Sequence, residues 1–165
     1  MPTTMIQDMD DLVRAAINEV FDTMLNLKLE AEPPGTELLN GEAHIASSVG
    51  FIGRLTGIVY IYSTASFART ITATLIGLEE SDIDGEEMVN DAMGEVANMI
   101  VGNVKSRLSD RGMPCVLTIP SIVRGSHFTI EAVSSTERRV VSFKCLKANQ
   151  QIVIEILIKL EKSNN

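Results

Sequence analysis

The sequence predicts an α+β fold in which helices are layered on a mainly antiparallel sheet. Apolar residues at helical spacing mark three segments in the first two thirds of the chain, whereas β-branched runs separated by turn formers fill the last third. The predicted order is helix, two strands, helix, helix and then a strand-rich half. This order is typical of helices collected on one antiparallel sheet.

The first predicted helix covers residues 8–28, where apolar residues recur at intervals of three and four. Asp8 or Asp10 opens this helix. The segment 30–42 contains two prolines and two glycines, which end the helix and form a connection. The apolar stripe consists of Leu12, Ala16, Val20, Met24 and Leu27.

A β-hairpin is predicted next, from two runs rich in β-branched and aromatic residues. These runs are 43–53 and 55–63, and the chain turns near Gly53 and Arg54. We expect both strands to belong to the main sheet.

A short helix is predicted at 67–77, where apolar residues line one face. Ser63, Thr64 or Ser66 can cap its N-terminus, and Gly77 ends it. We expect this helix to pack on the sheet.

The third predicted helix is the longest and covers about residues 86–109. Its first turn contains Glu86 and Glu87, and its last turns contain Lys105 and Arg107. This charge distribution is favourable for the helix dipole.

Four runs of β-branched residues follow Gly112, and we expect at least three of them to be strands. The run 127–135 alternates apolar and polar residues, so one of its faces is expected to meet solvent or a partner chain. The four runs are 115–125, 127–135, 140–148 and 151–160.

Composition narrows the class of protein. With 165 residues and 45% hydrophobic content, the chain can bury one ordinary core, so a single domain over 1–165 is expected. A net charge of -8 without a Lys/Arg cluster argues against a nucleic-acid partner. No apolar run approaches the roughly 20 residues needed to cross a bilayer, and the acidic N-terminus lacks a secretory pattern. We therefore expect a cytoplasmic protein with no membrane partner.

Cysteines and histidines offer little sign of chemistry. Cys115 and Cys145 stand in apolar, strand-like runs and are expected to be reduced core residues, with a disulfide or reactive thiol as the alternative. His44 and His127 lack partners at the spacing of a metal site, and the common nucleophile, metal and nucleotide motifs are missing. The chain is therefore expected to bind no metal or cofactor itself.

The third helix carries a second, polar face within DAMGEVANMIVGN, residues 91–103. At about 100° per residue, Asp91, Glu95 and Asn98 lie within roughly 60° of one another and outside the apolar arc. A solvated face is the simplest interpretation of three such residues. The apolar arc consists of Val89, Ala92, Met93, Val96, Met99, Ile100 and Val104.

Two glycines beside this polar face need a further explanation. Each interior glycine costs about 1 kcal/mol relative to alanine, so Gly94 and Gly102 suggest that a partner approaches the helix backbone closely. Glu95 and Asn98 also form a usable chemical pair, because a carboxylate can hold a cation or a lysine and a carboxamide can orient a water molecule.

Four residues of this region resemble a known signature. Asp91, Glu95, Asn98 and Pro120 fit the spacing D/S-x3-E-x2-N-x21-P, which resembles that of the CheC/CheX/FliY chemotaxis phosphatases. The surrounding GEVANMIVGNVKSRLS is also similar to that family. The resemblance extends over most of the chain through element order, with its specificity in residues 86–120. A single full motif in a compact chain is most similar to the CheX branch and implies a CheC/CheX-like fold.

The resemblance implies a phosphatase acting on the aspartyl phosphate of a CheY-like receiver domain. Asn98 would position the attacking water, and Glu95 would pair with the receiver's active-site lysine. The receiver would bring Mg²⁺, so no cofactor on this chain is implied. Such a division of labour is physically reasonable, because phosphoryl transfer needs positioning and charge neutralisation more than a covalent catalyst.

The remaining motif residues are expected to serve docking. Asp91 shapes the rim or makes local contacts, Gly94 and Gly102 admit the partner, and Pro120, tolerated at an edge or bulge, shapes the surface near the helix. The resemblance also implies a homodimer. A non-catalytic module that binds a receiver or a flagellar-switch component would use the same surface.

The first helix contains a partial repeat of the motif. Asp11, Ala15 and Asn18 repeat its spacing, but alanine replaces the glutamate and Asn40 stands where the proline would be. A decayed second site and a chance coincidence both explain this pattern.

Overall fold

The computed structural model describes residues 3–34, 36, 44–126, 128 and 130–160. Within this part of the chain, three α-helices pack on a seven-stranded sheet in which every strand pair is antiparallel. The predicted α+β class is therefore confirmed. The elements are α1 (Thr3–Met24), β1 (Leu29–Ala31), β2 (His44–Gly53), β3 (Gly57–Thr64), α2 (Ala65–Ile76), a short 3-10 helix (Glu80–Asp82), α3 (Gly85–Asp110), β4 (Cys115–Leu117), β5 (Ser121–Gly125), β6 (Thr136–Cys145) and β7 (Gln150–Lys159).

The sheet places its last strand near the centre. The order is β1-β6-β7-β3-β2-β4, and β5 also pairs with β2. The predicted hairpin is formed by β2 and β3, from His44 opposite Thr64 to Phe51 opposite Gly57. β7 lies between β6 and β3, and its residues 152–158 are all buried, so both faces of the sheet are covered along this strand.

Alternate strand residues build the core beneath the helices. Val59 and Ile61 of β3 are at most 1% exposed, as are the four isoleucines at even positions of β7. α3 contacts β2 as well as both other helices. Fully burying one such side chain stabilises the fold by about 1.5–3 kcal/mol, so α3 is firmly anchored along its apolar side.

α1 is shifted towards the N-terminus relative to the predicted helix 8–28. It begins at Thr3 and ends at Met24. The apolar stripe extends further than predicted, because Ile6 packs against the core and Met9 is fully buried. These two residues add buried contacts before the first position of the predicted stripe.

The prediction that Asp8 or Asp10 opens the helix is wrong, because both lie inside α1 and form ion pairs. Asp8 Oδ2 accepts a hydrogen bond from Arg111 Nη1 at 2.8 Å. Asp10 Oδ2 accepts one from Arg139 Nη2 at 2.8 Å. The two carboxylates therefore tie α1 to the end of α3 and to β6.

α2 has the predicted start and stop signals. Of the three candidate caps, Thr64 fills the position, and its Oγ1 accepts a hydrogen bond from Phe67 N at 3.1 Å. Gly77 follows the last turn with φ 73, a left-handed conformation that glycine adopts without strain.

β1 lies partly in the segment predicted to be a loop. It is only three residues long and pairs with the end of β6, where Leu29 faces Cys145. Strands this short carry almost no periodic signal. Gly35 and Gly41 of the predicted loop lie outside the described residues.

The predicted strand at 127–135 is wrong for its described residues, 128 and 130–135, none of which belongs to a strand. Phe128 stacks on Tyr62 instead, with ring centroids 6.3 Å apart. Val133 lines a shallow cavity together with residues of β3 and β7. Phe128 therefore packs on the second face of the sheet, Val133 stays 70% exposed beside the cavity, and the solvent-facing strand expected here is not formed.

Candidate active site

The long helix predicted at 86–109 is α3, which begins one residue earlier and ends one residue later. Acidic residues occupy its first turn and an arginine its last, as the helix dipole favours. Its buried side is wider than the predicted arc, because Ala97 and Val101 are also fully buried. The polar face is correspondingly narrow.

The three motif side chains on α3, those of Asp91, Glu95 and Asn98, have no partner within the described part of the chain. Asp91 and Glu95 are exposed, and Asn98 is half-buried. None of the three forms a side-chain hydrogen bond or an ion pair with another described residue. Their spacing places them on one side of the helix, where all three are available to a binding partner.

Polar residues nearer the end of α3 are engaged within the chain. Asn103 Nδ2 donates to Glu19 Oε2 at 2.7 Å, and Asn103 Oδ1 accepts from Arg107 Nε at 2.6 Å. Arg107 Nη2 also donates to Glu19 Oε2, at 2.8 Å. The hydrogen bond from Asn103 and then that from Arg107 hold the pKa of Glu19 below its usual value. This network joins α3 to α1.

The first half of α3 is tied to the edge of the sheet. Arg124 of β5 donates from Nε to Asn90 Oδ1 at 2.7 Å and from Nη2 to the carbonyl oxygen of Glu86 at 3.3 Å. Asn90 is next to Asp91 in sequence, yet its side chain is used for the fold. The motif residues therefore lie between two sets of structural contacts.

A β-bulge lies beside the motif. Leu117 pairs with Phe51 and Ser121 pairs with Ser48, so four steps along this edge match three along β2. The additional residue falls at 119–120, which divides the predicted strand CVLTIPSIV into β4 and β5. Proline has no N–H to donate and is tolerated at such a position.

Gly94 faces Pro120 rather than open solvent. A Cβ built at Gly94 would lie 3.5 Å from Pro120 Cγ, an ordinary van der Waals distance, and Gly94 is buried. Pro120 therefore occupies the position beside the Gly94 backbone at which the approach of a partner was expected. Gly102 is different, since nothing lies within 4 Å of a Cβ built there.

The described residues offer no metal site. Among them, no group of three or more His, Cys, Asp or Glu side chains is arranged to hold an ion. His44 packs edge-on against Phe128, with ring centroids 6.1 Å apart. His127 lies outside the described residues. In the same part of the chain, no helix is long and apolar enough to cross a membrane.

Both cysteines are free and buried, as predicted. Burial raises the pKa of the Cys115 thiol, and the charge of nearby Lys105 offsets this only in part. Because the thiolate is the reactive form, Cys115 is suited to packing rather than to nucleophilic chemistry.

The partial repeat on α1 lacks a key group. Asp11 and Asn18 are exposed, and Asp11 Oδ1 lies 3.6 Å from Arg14 Nη1. Ala15, in the position that corresponds to Glu95, has no carboxylate to offer a partner. Asn40 lies outside the described residues.

Two features beside the motif were not predicted from the sequence. One is the contact between Arg124 and Asn90, which are 34 residues apart. The other is the side chain of Ile119, which is 85% exposed. For Ile119 the available signal was an apolar residue directly before a proline that interrupts a strand.

Comparisons with known proteins agree with the motif. Residues 45–144 match the family model described as Chemotaxis phosphatase CheX. The CheY-P phosphatase CheX of Thermotoga maritima is 25% identical over 126 residues, which cover 73% of this chain and 80% of that protein.

Solved structures share the fold. A chemotaxis protein CheX from Desulfovibrio desulfuricans has a TM-score of 0.77 at 24% identity and covers 92% of this chain and 99% of its own. A chain of the CheX-CheY-BeF3-Mg²⁺ complex from Borrelia burgdorferi has a TM-score of 0.74 at 24% identity, over 91% of this chain and 97% of its own.

Proposed function

Because the chain belongs to the chemotaxis phosphatase CheX family, we propose that it hydrolyses the aspartyl phosphate of a CheY-like receiver domain. The observation that carries this proposal is the face of α3 on which Glu95 and Asn98 have no partners among the described residues. The T. maritima relative is named for phosphorylated CheY, which agrees with the proposed substrate.

Asn98 is the proposed water-positioning residue. Its carboxamide offers both donors and an acceptor, so it can hold a water molecule in line with the phosphorus atom. Phosphoryl transfer depends mainly on such positioning and on electrostatic stabilisation. A half-buried side chain on a well-packed helix is suited to this task, because the helix holds its backbone in place before the partner binds.

Glu95 is the proposed anchor for the receiver's active-site lysine. It is exposed and carries a negative charge on the same side of α3 as Asn98. An ion pair that becomes desolvated on binding fixes register and orientation. The lysine contact would therefore bring the phosphoryl group to Asn98.

The metal is proposed to lie on the receiver. The B. burgdorferi structure was solved with CheY, BeF3 and Mg²⁺ together. Mg²⁺ beside the phosphoryl group would neutralise developing charge. We propose no metal or cofactor on this chain.

The other motif residues are assigned to the docking rim. Asp91 continues the acidic side of the surface, and Gly102 leaves space for close approach of the receiver backbone. Pro120 and Gly94 contribute indirectly, because Pro120 lies beside Gly94 at the place where the bulge adjoins α3. We further propose that the protein acts in the cytoplasm as a homodimer.

The test is the decay of a phosphorylated receiver. A CheY-like receiver is phosphorylated with a small-molecule phosphodonor, and the loss of its phosphate is followed with and without the purified chain. The wild-type protein should accelerate the loss, and Asn98→Ala should abolish the acceleration while melting no earlier than the wild-type protein, because alanine is the better helix former. Unchanged decay across several receivers from the same genome would overturn the proposal.

A non-catalytic binding module is the second candidate. The same face of α3 could dock a receiver or a flagellar-switch component without turnover. Binding of the phosphorylated receiver by the wild-type protein without faster decay would favour this candidate. Loss of that binding in Glu95→Lys would place the contact on the same surface.

A further inference from the structure

Ile119 is an apolar side chain in an unusual place. At 85% exposure it is the most exposed large hydrophobic residue among those the structure describes. Single exposed apolar residues are ordinary on protein surfaces. Ile119 is distinguished by the contacts of the backbone on either side of it and by its position relative to the motif.

The backbone on both sides of Ile119 is fixed. Thr118 N donates to the carbonyl oxygen of Gly50 at 2.9 Å, and Thr118 Oγ1 accepts from Gly50 N at 2.8 Å. On the other side, Pro120 packs against Gly94. The backbone that carries Ile119 is therefore held on both sides. Ordering this segment on binding would cost little conformational entropy.

The edge of the sheet runs alongside α3 in the opposite direction. Pro120 lies against Gly94, and Cys115 lies near Lys105, whose charge acts on its thiol. The helix rises about 16 Å between its two contact points, and the strand covers about the same distance between its own. Ile119 is one step from Pro120 in the direction of Cys115, so it lies beside the turn of α3 that follows Gly94.

That turn of α3 contains Glu95 and Asn98. We infer that Ile119 is a docking residue for the phosphorylated receiver and makes an apolar contact with it beside the polar motif residues. This inference rests on the proposed function. The polar pair on the helix and the bulge that carries Ile119 are therefore neighbours along α3.

A second copy of the chain is a poor occupant for this position. Pairing of sheet edges needs a regular row of free N–H and C=O groups. The bulge interrupts that row, and Pro120 supplies no N–H. The receiver is favoured, because the bulge that carries Ile119 lies next to the helix face proposed to meet it.

The experiment compares Ile119→Ser with Val133→Ser. Val133 is also β-branched and 70% exposed, but it borders the cavity on the second face of the sheet. With a receiver phosphorylated by a small-molecule donor, Ile119→Ser should raise KM about ten-fold and leave kcat nearly unchanged. Val133→Ser should match the wild-type protein, and Ile119→Leu should restore most of the affinity.

The outcomes separate this inference from the proposed function. If the wild-type protein accelerates decay and Ile119→Ser has an unchanged KM, the inference is overturned while the function stands. If the wild-type protein is inactive, binding to a beryllofluoride-loaded receiver is measured instead. Weaker binding by Ile119→Ser but not Val133→Ser then supports the docking contact, and equal binding overturns it. A change in sedimentation of Ile119→Ser alone would assign the residue to a contact between copies and would also overturn it.

Discussion

Asn98 and Asn103 lie on the same helix but have opposite surroundings. Asn103 bonds with Glu19 and Arg107, which joins α3 to α1. Asn98 has no such partner within the described residues. Asparagine lowers helix stability relative to alanine, and of these two residues Asn103 offsets that loss through contacts with other described residues, whereas Asn98 does not. A motif residue on α3 that has no partner within the described residues is therefore a candidate for function.

The same contrast separates neighbours in sequence. Asn90 accepts a hydrogen bond from Arg124, whereas Asp91 is exposed and has no partner among the described residues. Substitutions on the engaged side, which is formed by Asn90, Asn103 and their partners, should therefore change the free energy of unfolding. Substitutions on the unengaged side, which is formed by Asp91, Glu95 and Asn98, should change the reaction with the receiver.

Among the variants that probe docking and stability, the largest effect is expected for Glu95→Lys. Placing a positive charge opposite the receiver's lysine should lower kcat/KM by about 100-fold or more, because like charges at a docking contact cost several kcal/mol. Glu95→Gln should lower kcat/KM by less, because it removes the negative charge without introducing a positive one. Asp110→Lys makes the same charge change at the far end of α3 and should retain wild-type kinetics. Full activity of Glu95→Lys in the phosphate-decay assay would contradict the assigned anchor.

On the engaged side, Arg124→Met should lower the free energy of unfolding by about 1–2 kcal/mol, because it removes two hydrogen bonds and leaves half-buried Asn90 without its partner. Chemical denaturation measures this loss. The rate of phosphate loss per folded molecule should stay within about two-fold of wild type. An unchanged denaturation midpoint would show that the contact does not stabilise the protein.

Gly94 and Gly102 of α3 differ in what surrounds them. Gly94→Ala and Gly102→Ala should each stabilise α3 by about 1 kcal/mol, because neither Cβ meets a prohibitive contact. Only Gly102→Ala should raise KM for the phosphorylated receiver, since Pro120 covers Gly94. Thermal melts and steady-state kinetics measure the two effects. Equal KM values for both variants would argue against close approach of the receiver at Gly102.

The smallest effect concerns acid stability. The pKa of Glu19 is lowered below 4.5 by its hydrogen bonds to Asn103 and Arg107. The ionised carboxylate therefore stabilises the folded protein above this pH, and the contribution is lost as the pH falls through the lower folded value. Melting temperatures from about pH 6 to about pH 3 should fall more steeply for the wild-type protein than for Glu19→Gln. Parallel curves would contradict this assignment.

Local patterns predicted much of the fold. The bounds of α3, the β2–β3 hairpin and the cap at Thr64 depend on residues close in sequence, and all were predicted within a few positions. The motif predicted the family and its phosphatase class, and the family match over 45–144 confirms both.

Features set by distant packing were not predictable in the same way. Alternation at 127–135 cannot distinguish a strand from a segment whose apolar side chains rest on a sheet, as Phe128 does on Tyr62. The bulge at 119–120 depends on its register against β2. A helical projection gives the direction of Gly94 but not the identity of the residue that covers it.

The same limit applies to the site. The spacing of Asp91, Glu95 and Asn98 predicted a shared face on the helix. It could not show that Asn103 is engaged by Glu19, which lies 84 residues earlier. Only the packed structure separates the asparagine used for stability from the one left available.

The most direct test places Asn98→Ala and Asn103→Ala side by side in one phosphate-decay assay with matched thermal melts. Asn98→Ala should lose at least about 100-fold in kcat and melt at or slightly above the wild-type temperature, because alanine favours the helix. Asn103→Ala should melt earlier, with about 1–2 kcal/mol less stability, and keep the wild-type kcat below its melting temperature. If Asn98→Ala retains full kcat, or if both variants lose activity and stability together, the division of α3 into a structural and a functional side is contradicted.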